Sequence, residues 1–158
     1  MSKRIALIYL TLLFSLVLAI FPMPAFLSAF RPDWPLMALI YWCIALPHRV
    51  GVLTGCLVGL LLDLLLGSVL GINGLIFSII AYIAAANFLL IRNFSVWQQA
   101  IIVGMLCAFY HLAEYWLIHF LTDSFFEPSL MWPAITTMVM WPWAFLLLRK
   151  MRRAFKII

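Results

Sequence analysis

The length of its apolar runs constrains this chain most. Residues 5–21, 64–91 and 128–148 contain no charged side chain at all. A membrane-spanning helix needs about 20 mostly apolar residues, whereas a helix on a soluble domain keeps a polar face for water. The composition points the same way, with 68% hydrophobic and 9% charged residues and a mean hydropathy of +1.18. Soluble domains average about 45–50% apolar and roughly 25% charged, and a small globule still needs a wetted surface. The chain is expected to be an all-α integral membrane protein, a single transmembrane domain over residues 1–158.

Six spans are expected, over residues 5–21, 34–46, 50–66, 72–91, 97–121 and 129–148, with a basic tail at 149–158. The first run has a secretory signal peptide as its rival reading. It is longer than the usual apolar region of about 7–15 residues, and Pro22-Met23-Pro24 follows without a cleavage pattern, so a retained helix is expected. Residues 21–35 hold prolines, aromatics, Arg31, Asp33 and Trp34, which suits an interfacial loop or a re-entrant segment. The second span is short, and a break or an early start near Trp34 is the expected remedy. Pro133 and Pro142 interrupt the sixth span, as membrane helices tolerate.

Charge orients this arrangement. Lys3, Arg4, Arg49, Arg92, Arg149, Lys150, Arg152, Arg153 and Lys156 share one side, and Arg31 is the basic residue of the other. Asp33, Asp123 and Glu127 join Arg31. By the positive-inside rule the basic side is cytoplasmic, and so are both termini. The same clustering argues against nucleic acid as the partner of the +5 net charge, although the tail can touch anionic lipid. The connections are too short to hold an extramembrane domain. Cys43, Cys56 and Cys107 lie within apolar runs without metal-ligand spacing, as buried hydrophobes do. No cofactor, metal or catalytic residue is expected.

Several residues stand out against this background. Gly51, Gly55, Gly59, Asp63, Gly67 and Gly71 recur every fourth residue and share a helix face as far as the helix lasts. Small residues at this spacing let helices approach closely in lipid. Gly51, Gly55 and Gly59 can serve packing within the bundle or docking of a partner's helix, while Gly67 and Gly71 suit a turn. Asp63 lies about 20 Å from the cytoplasmic edge of its span and needs a partner or a wet cavity at that depth. His111 sits at a similar depth on the fifth span, roughly 21 Å from Trp97. A buried Asp63–His111 contact is therefore expected, with Glu114 on the same helix face nearer the outer interface. A proton relay or a metal site would need further ligands. The turn Pro47-His48-Arg49 is a candidate cytoplasmic contact.

The segments Phe30-Arg31-Pro32-Asp33-Trp34, Tyr41-Trp42 and Ala45-Leu46-Pro47-His48-Arg49 lead into Gly55-x-x-x-Gly59-x-x-x-Asp63 and then Gly67-Ser68-x-Leu70-Gly71. Together with Arg92-Asn93, Trp97-Gln98-Gln99-Ala100, Trp141-Pro142-Trp143 and the basic tail, they resemble the rod shape-determining MreD family of enterobacterial type. The likeness runs along essentially the whole chain and is most specific between residues 30 and 71. It implies a non-enzymatic inner-membrane component of the side-wall peptidoglycan synthesis complex. The implied partners are MreC, the RodA glycosyltransferase with its penicillin-binding transpeptidase, RodZ and the MreB filament. The implied fold is similar to the six-helix substrate-binding subunits of vitamin transporters, a likeness that assigns no ligand. The rival function is a small-molecule or lipid-binding subunit with Asp63 and His111 lining a pocket.

Overall fold

The computed structural model describes residues 2–122 and 128–155. The expected loop acids Asp123 and Glu127, and Lys156 of the tail, lie outside the described residues. All regular structure among those residues is helical. The helices are α1 (Ser2–Ile20), α2 (Ala25–Ser28), α3 (Trp34–Ala45), α4 (Val52–Leu66), α5 (Ile72–Ala86), α6 (Phe88–Asn93), α7 (Val96–Thr122) and α8 (Trp132–Ala154). A single 3-10 turn, Pro128–Met131, leads into α8.

The bundle is organised around α3. Every residue from Pro35 to Ile44 is buried, so this helix is enclosed on all sides. A helix that is apolar all round belongs in a core, and α3 packs against α1, α5, α6, α7 and α8. At about 18 Å it is too short to cross a hydrocarbon layer of about 30 Å. Residues 21–30 run through α2 with all but Ala29 exposed, and the chain enters the bundle at Asp33, whose backbone N–H donates to Thr137 Oγ1 on α8 at 3.1 Å. Arg31 donates to the Leu18 carbonyl at 2.8 Å and ties this segment to α1. Trp42 Nε1 donates to Thr11 Oγ1 at 2.9 Å, joining α3 to α1 across the core.

Two helical hairpins complete the bundle, α4 with α5 and α7 with α8. Stretches corresponding to α7 (Val96–Thr122) and α8 (Ser129–Ala154) are long and apolar enough to cross a membrane. Their outer faces are lipid-like rather than wetted: Phe120 is 81% and Trp97 74% exposed, and Leu53 on α4 reaches 82%. Exposed apolar surface on this scale marks a membrane interaction in a folded protein.

Three element boundaries differ from the sequence-based expectation. The fourth apolar run is broken at Asn87, whose Nδ2 donates to the Ile83 carbonyl at 2.9 Å and offers the backbone a competing bond there. The basic tail is no loose extension: α8 continues through Arg149–Arg153, because Lys and Arg are good helix formers and nothing breaks the helix before Ala154. The third span begins only at Val52, since residues 46–51 form a turn in which the N–H groups of Arg49 and Val50 both reach the Leu46 carbonyl at 3.0 Å. Within that turn His48 and Arg49 are exposed and Pro47 is half-buried.

Candidate functional site

The α4–α5 hairpin explains the glycine stripe. A Cβ on Gly55 would stand 2.7 Å from the Phe77 carbonyl oxygen and 2.9 Å from Ala81 Cβ, both on α5. On Gly59 it would collide with the backbone of Asn73 and reach Gly74 Cα at 2.6 Å. The two helices thus touch backbone to backbone, and the face is filled by the protein's own α5. This removes the Gly55–Gly59 face as a ready surface for a partner. Gly51 differs, because it caps α4 and a Cβ there would meet nothing nearer than the Pro47 carbonyl oxygen at 3.9 Å.

Where the stripe meets the turn, the glycines change role. Gly67 has φ +65° and Gly71 φ +101°, values that L side chains rarely adopt. The N–H groups of Gly67 and Ser68 both reach the Asp63 carbonyl, the left-handed ending of a helix. The turn swings the N-terminus of α5 onto the Asp63 side chain. Ser68 Oγ at 2.7 Å and Asn73 Nδ2 at 2.8 Å donate to Oδ1, and the Gly71 N–H at 2.9 Å donates to Oδ2. Longer bonds come from the N–H groups of Asn73 and Gly74, at 3.3 and 3.4 Å. Asp63 is fully buried and accepts from the N-terminal amides of the neighbouring helix, where free N–H groups and the helix dipole favour a carboxylate. The expected Asp63–His111 contact is not made, because the carboxylate's acceptor positions are taken from its own hairpin.

His111 finds a different acid. Its Nε2 lies 2.7 Å from Asp33 Oδ2, and Cys107 Sγ lies 2.8 Å from the same oxygen. Cys107 also approaches Thr137 Oγ1 at 3.7 Å. Asp33 is free to turn inward because it precedes α3 and Pro35 lacks one of the amides that a capping carboxylate would accept. Cys107 and His111 are four residues apart on one face of α7. Glu114 follows on that face, with Oε2 3.8 Å from His111 Nδ1.

The two clusters meet on α7. Asn73, which donates to Asp63 through Nδ2, accepts a hydrogen bond from Tyr110 through Oδ1 at 2.8 Å. The Tyr110 and His111 rings pack edge to face with centroids 4.7 Å apart. One polar chain therefore runs from α4 and α5 through α7 to α3 and α8. Such bonds hold helices together in lipid, each contributing about 0.6 kcal/mol and at most about 1.7.

The chemistry open to the Asp33–Cys107–His111 group is limited by its geometry. In a nucleophilic triad the imidazole stands between nucleophile and acid and uses a different nitrogen for each. Here thiol and imidazole converge on one carboxylate oxygen. The three donor atoms lie within 4.8 Å of one another and are of types that ligate zinc. Their 2.7 and 2.8 Å separations are hydrogen-bond spacings, shorter than the roughly 3.3–3.7 Å that ligand bonds of 2.0–2.3 Å impose around a tetrahedral ion. As it stands the group is a polar clasp between helices.

The fold and its internal clasp define a helical membrane protein whose buried polar residues join helix to helix. The profile of the rod shape-determining protein MreD family matches residues 2–151, and the chain belongs to that family. A relative from Haemophilus influenzae, the rod shape-determining protein MreD, is 35% identical over 161 residues, covering 99% of each chain. No solved structure gives a significant match.

Proposed function

We propose that the protein crosses the bacterial inner membrane six times with both termini in the cytoplasm, and acts there as a non-enzymatic component of the side-wall peptidoglycan synthesis complex. It would bind MreC and, in the larger assembly, join RodA with its transpeptidase, RodZ and the MreB filament. The family match along residues 2–151 carries this reading. The basic asymmetry supports the orientation. In this reading residues 21–33 lie at the outer interface, α3 makes the second crossing, and the Asn87 kink lies within the fourth. A fold similar to the vitamin-transporter binding subunits remains part of the proposal.

The buried Gly55–Gly59 face directs a partner's anchor helix to the outer, lipid-facing surfaces. The exposed His48-Arg49 turn and the basic end of α8 are the proposed cytoplasmic contacts. The pocket-lining alternative is weakened at Asp63, whose donors all belong to its own hairpin. The test is replacement of the chromosomal copy by an affinity-tagged, repressible one. Depletion should convert rods to spheres, and MreC should co-purify from membranes in mild detergent. Rod growth without the protein, or its recovery at normal levels without MreC, refutes the reading.

A further inference from the structure

A cavity of about 460 Å³ opens at the basic end of the bundle, between α3, α6, α7 and α8. Arg92, Arg149, Arg152 and Arg153 line it, and no acidic residue does. None of these arginines forms an ion pair among the described residues. Charge alone would be an ordinary topology signal on a solvated face. The inner wall is what differs. Tyr41, Gln99 and Trp141 line the cavity and are 3%, 3% and 0% exposed, yet Gln99 Oε1 and Trp141 Nε1 have no hydrogen-bond partner, and the Tyr41 hydroxyl faces the Arg152 side chain at the cavity. Buried polar groups are almost always paired, and an exception needs an explanation. Gln99 shows that the orphaned oxygen is no misplaced amide, because its Nε2 already donates to the Ile91 and Phe94 carbonyls at 3.1 and 3.2 Å. Arg149 also rests 5.9 Å over the Phe145 ring, which holds its guanidinium beside the opening.

We propose that this cavity binds a phosphate-bearing group. Guanidinium forks match phosphate oxygens in geometry and charge. The Tyr41 O–H and Trp141 N–H add neutral donors from the wall, and Gln99 Oε1 can accept from a hydroxyl carried beside the phosphate. This is a binding function separate from assembly with MreC, and its test does not depend on that partner. The phosphate can belong to an anionic lipid headgroup or to a soluble molecule.

The experiment uses the full-length protein in phosphatidylcholine nanodiscs. One arm titrates inorganic pyrophosphate, and the other replaces part of the phosphatidylcholine with phosphatidic acid; thermal shift and native mass spectrometry report binding. A response to either probe is expected, and the responding arm identifies the source. Arg152→Gln should weaken binding about tenfold or more, and Tyr41→Phe several-fold. Lys150→Gln removes the same charge from the same end but outside the cavity, and should change binding less than about twofold. Binding of neither probe, or equal loss in Lys150→Gln and Arg152→Gln, overturns the proposal. If Arg152→Gln fails to fold, Tyr41→Phe with undiminished binding does so as well.

Discussion

Gly59→Ala is the smallest change that tests how the α4–α5 hairpin is built. The added Cβ would lie 2.6 Å from Gly74 Cα and against the Asn73 peptide, and ordinary contact begins near 3.4 Å. The Asn73 carbonyl is the closest obstacle, so the helices must separate locally by about 1 Å, and that obstacle is backbone, which cannot rotate away. Overpacking of this kind typically costs about 1–3 kcal/mol. A second loss follows, because the Asn73 and Gly74 amides bond Asp63 at 3.3 and 3.4 Å and have no slack for such a shift. Leaving buried amides unpaired adds about 1 kcal/mol or more each. The expected total is about 3–5 kcal/mol, measured as lost unfolding free energy in mixed dodecylmaltoside–SDS micelles. Gly104→Ala is the internal control. Its Cβ meets Met138 Cβ at 3.0 Å and the more mobile Cγ and Sδ at 3.2 Å, so relief needs a shift of only a few tenths of an ångström, and Met138 is 37% exposed. The control should cost about 1 kcal/mol or less. Wild-type stability for Gly59→Ala, or an equal loss at both sites, would refute the claim of backbone contact.

Other residues give separate tests. Asp63→Ala strands the donors gathered on the carboxylate and should cost about 3–5 kcal/mol, while Asp63→Asn keeps one acceptor and should cost about half as much; the same micelle titration checks the order. Asp33→Asn and His111→Asn should couple by about 1–3 kcal/mol in a double-mutant cycle, whereas Asp63 and His111 variants should combine with little direct coupling. A large Asp63–His111 term with none for Asp33–His111 would reverse the assignment. For topology, His48→Cys should react with an impermeant maleimide only in inverted vesicles and Phe30→Cys only in intact spheroplasts. Labelling of both from one side excludes the proposed second crossing between them.

The sequence made the helical membrane class legible because apolar run length is a local property that lipid reads directly. It also made Asp63 conspicuous, since an acid within an apolar run demands a partner. The partner was hidden by the method of looking for it. Comparing depths along separate straight helices points from Asp63 to His111, but Gly67 and Gly71 fold the chain back so tightly that the nearest donors come from the next turn. Ser68 and Asn73, polar residues within an apolar stretch, were the available signal. Asp33 was hidden for the opposite reason. It sits among prolines and aromatics that suit an interface, and only the shortness of α3 hints that the chain enters the bundle at Asp33. Cys107 looked like a small hydrophobe, although its four-residue spacing from His111 puts both on one face. In each case the missed partner was fixed by where a turn or a loop brings the chain back. That geometry depends on tertiary closure and has no periodicity of its own. The same logic bears on why α3 is buried all round: Asp33, bound to His111, Cys107 and Thr137, fixes the start of the helix inside the bundle, against α7 and α8.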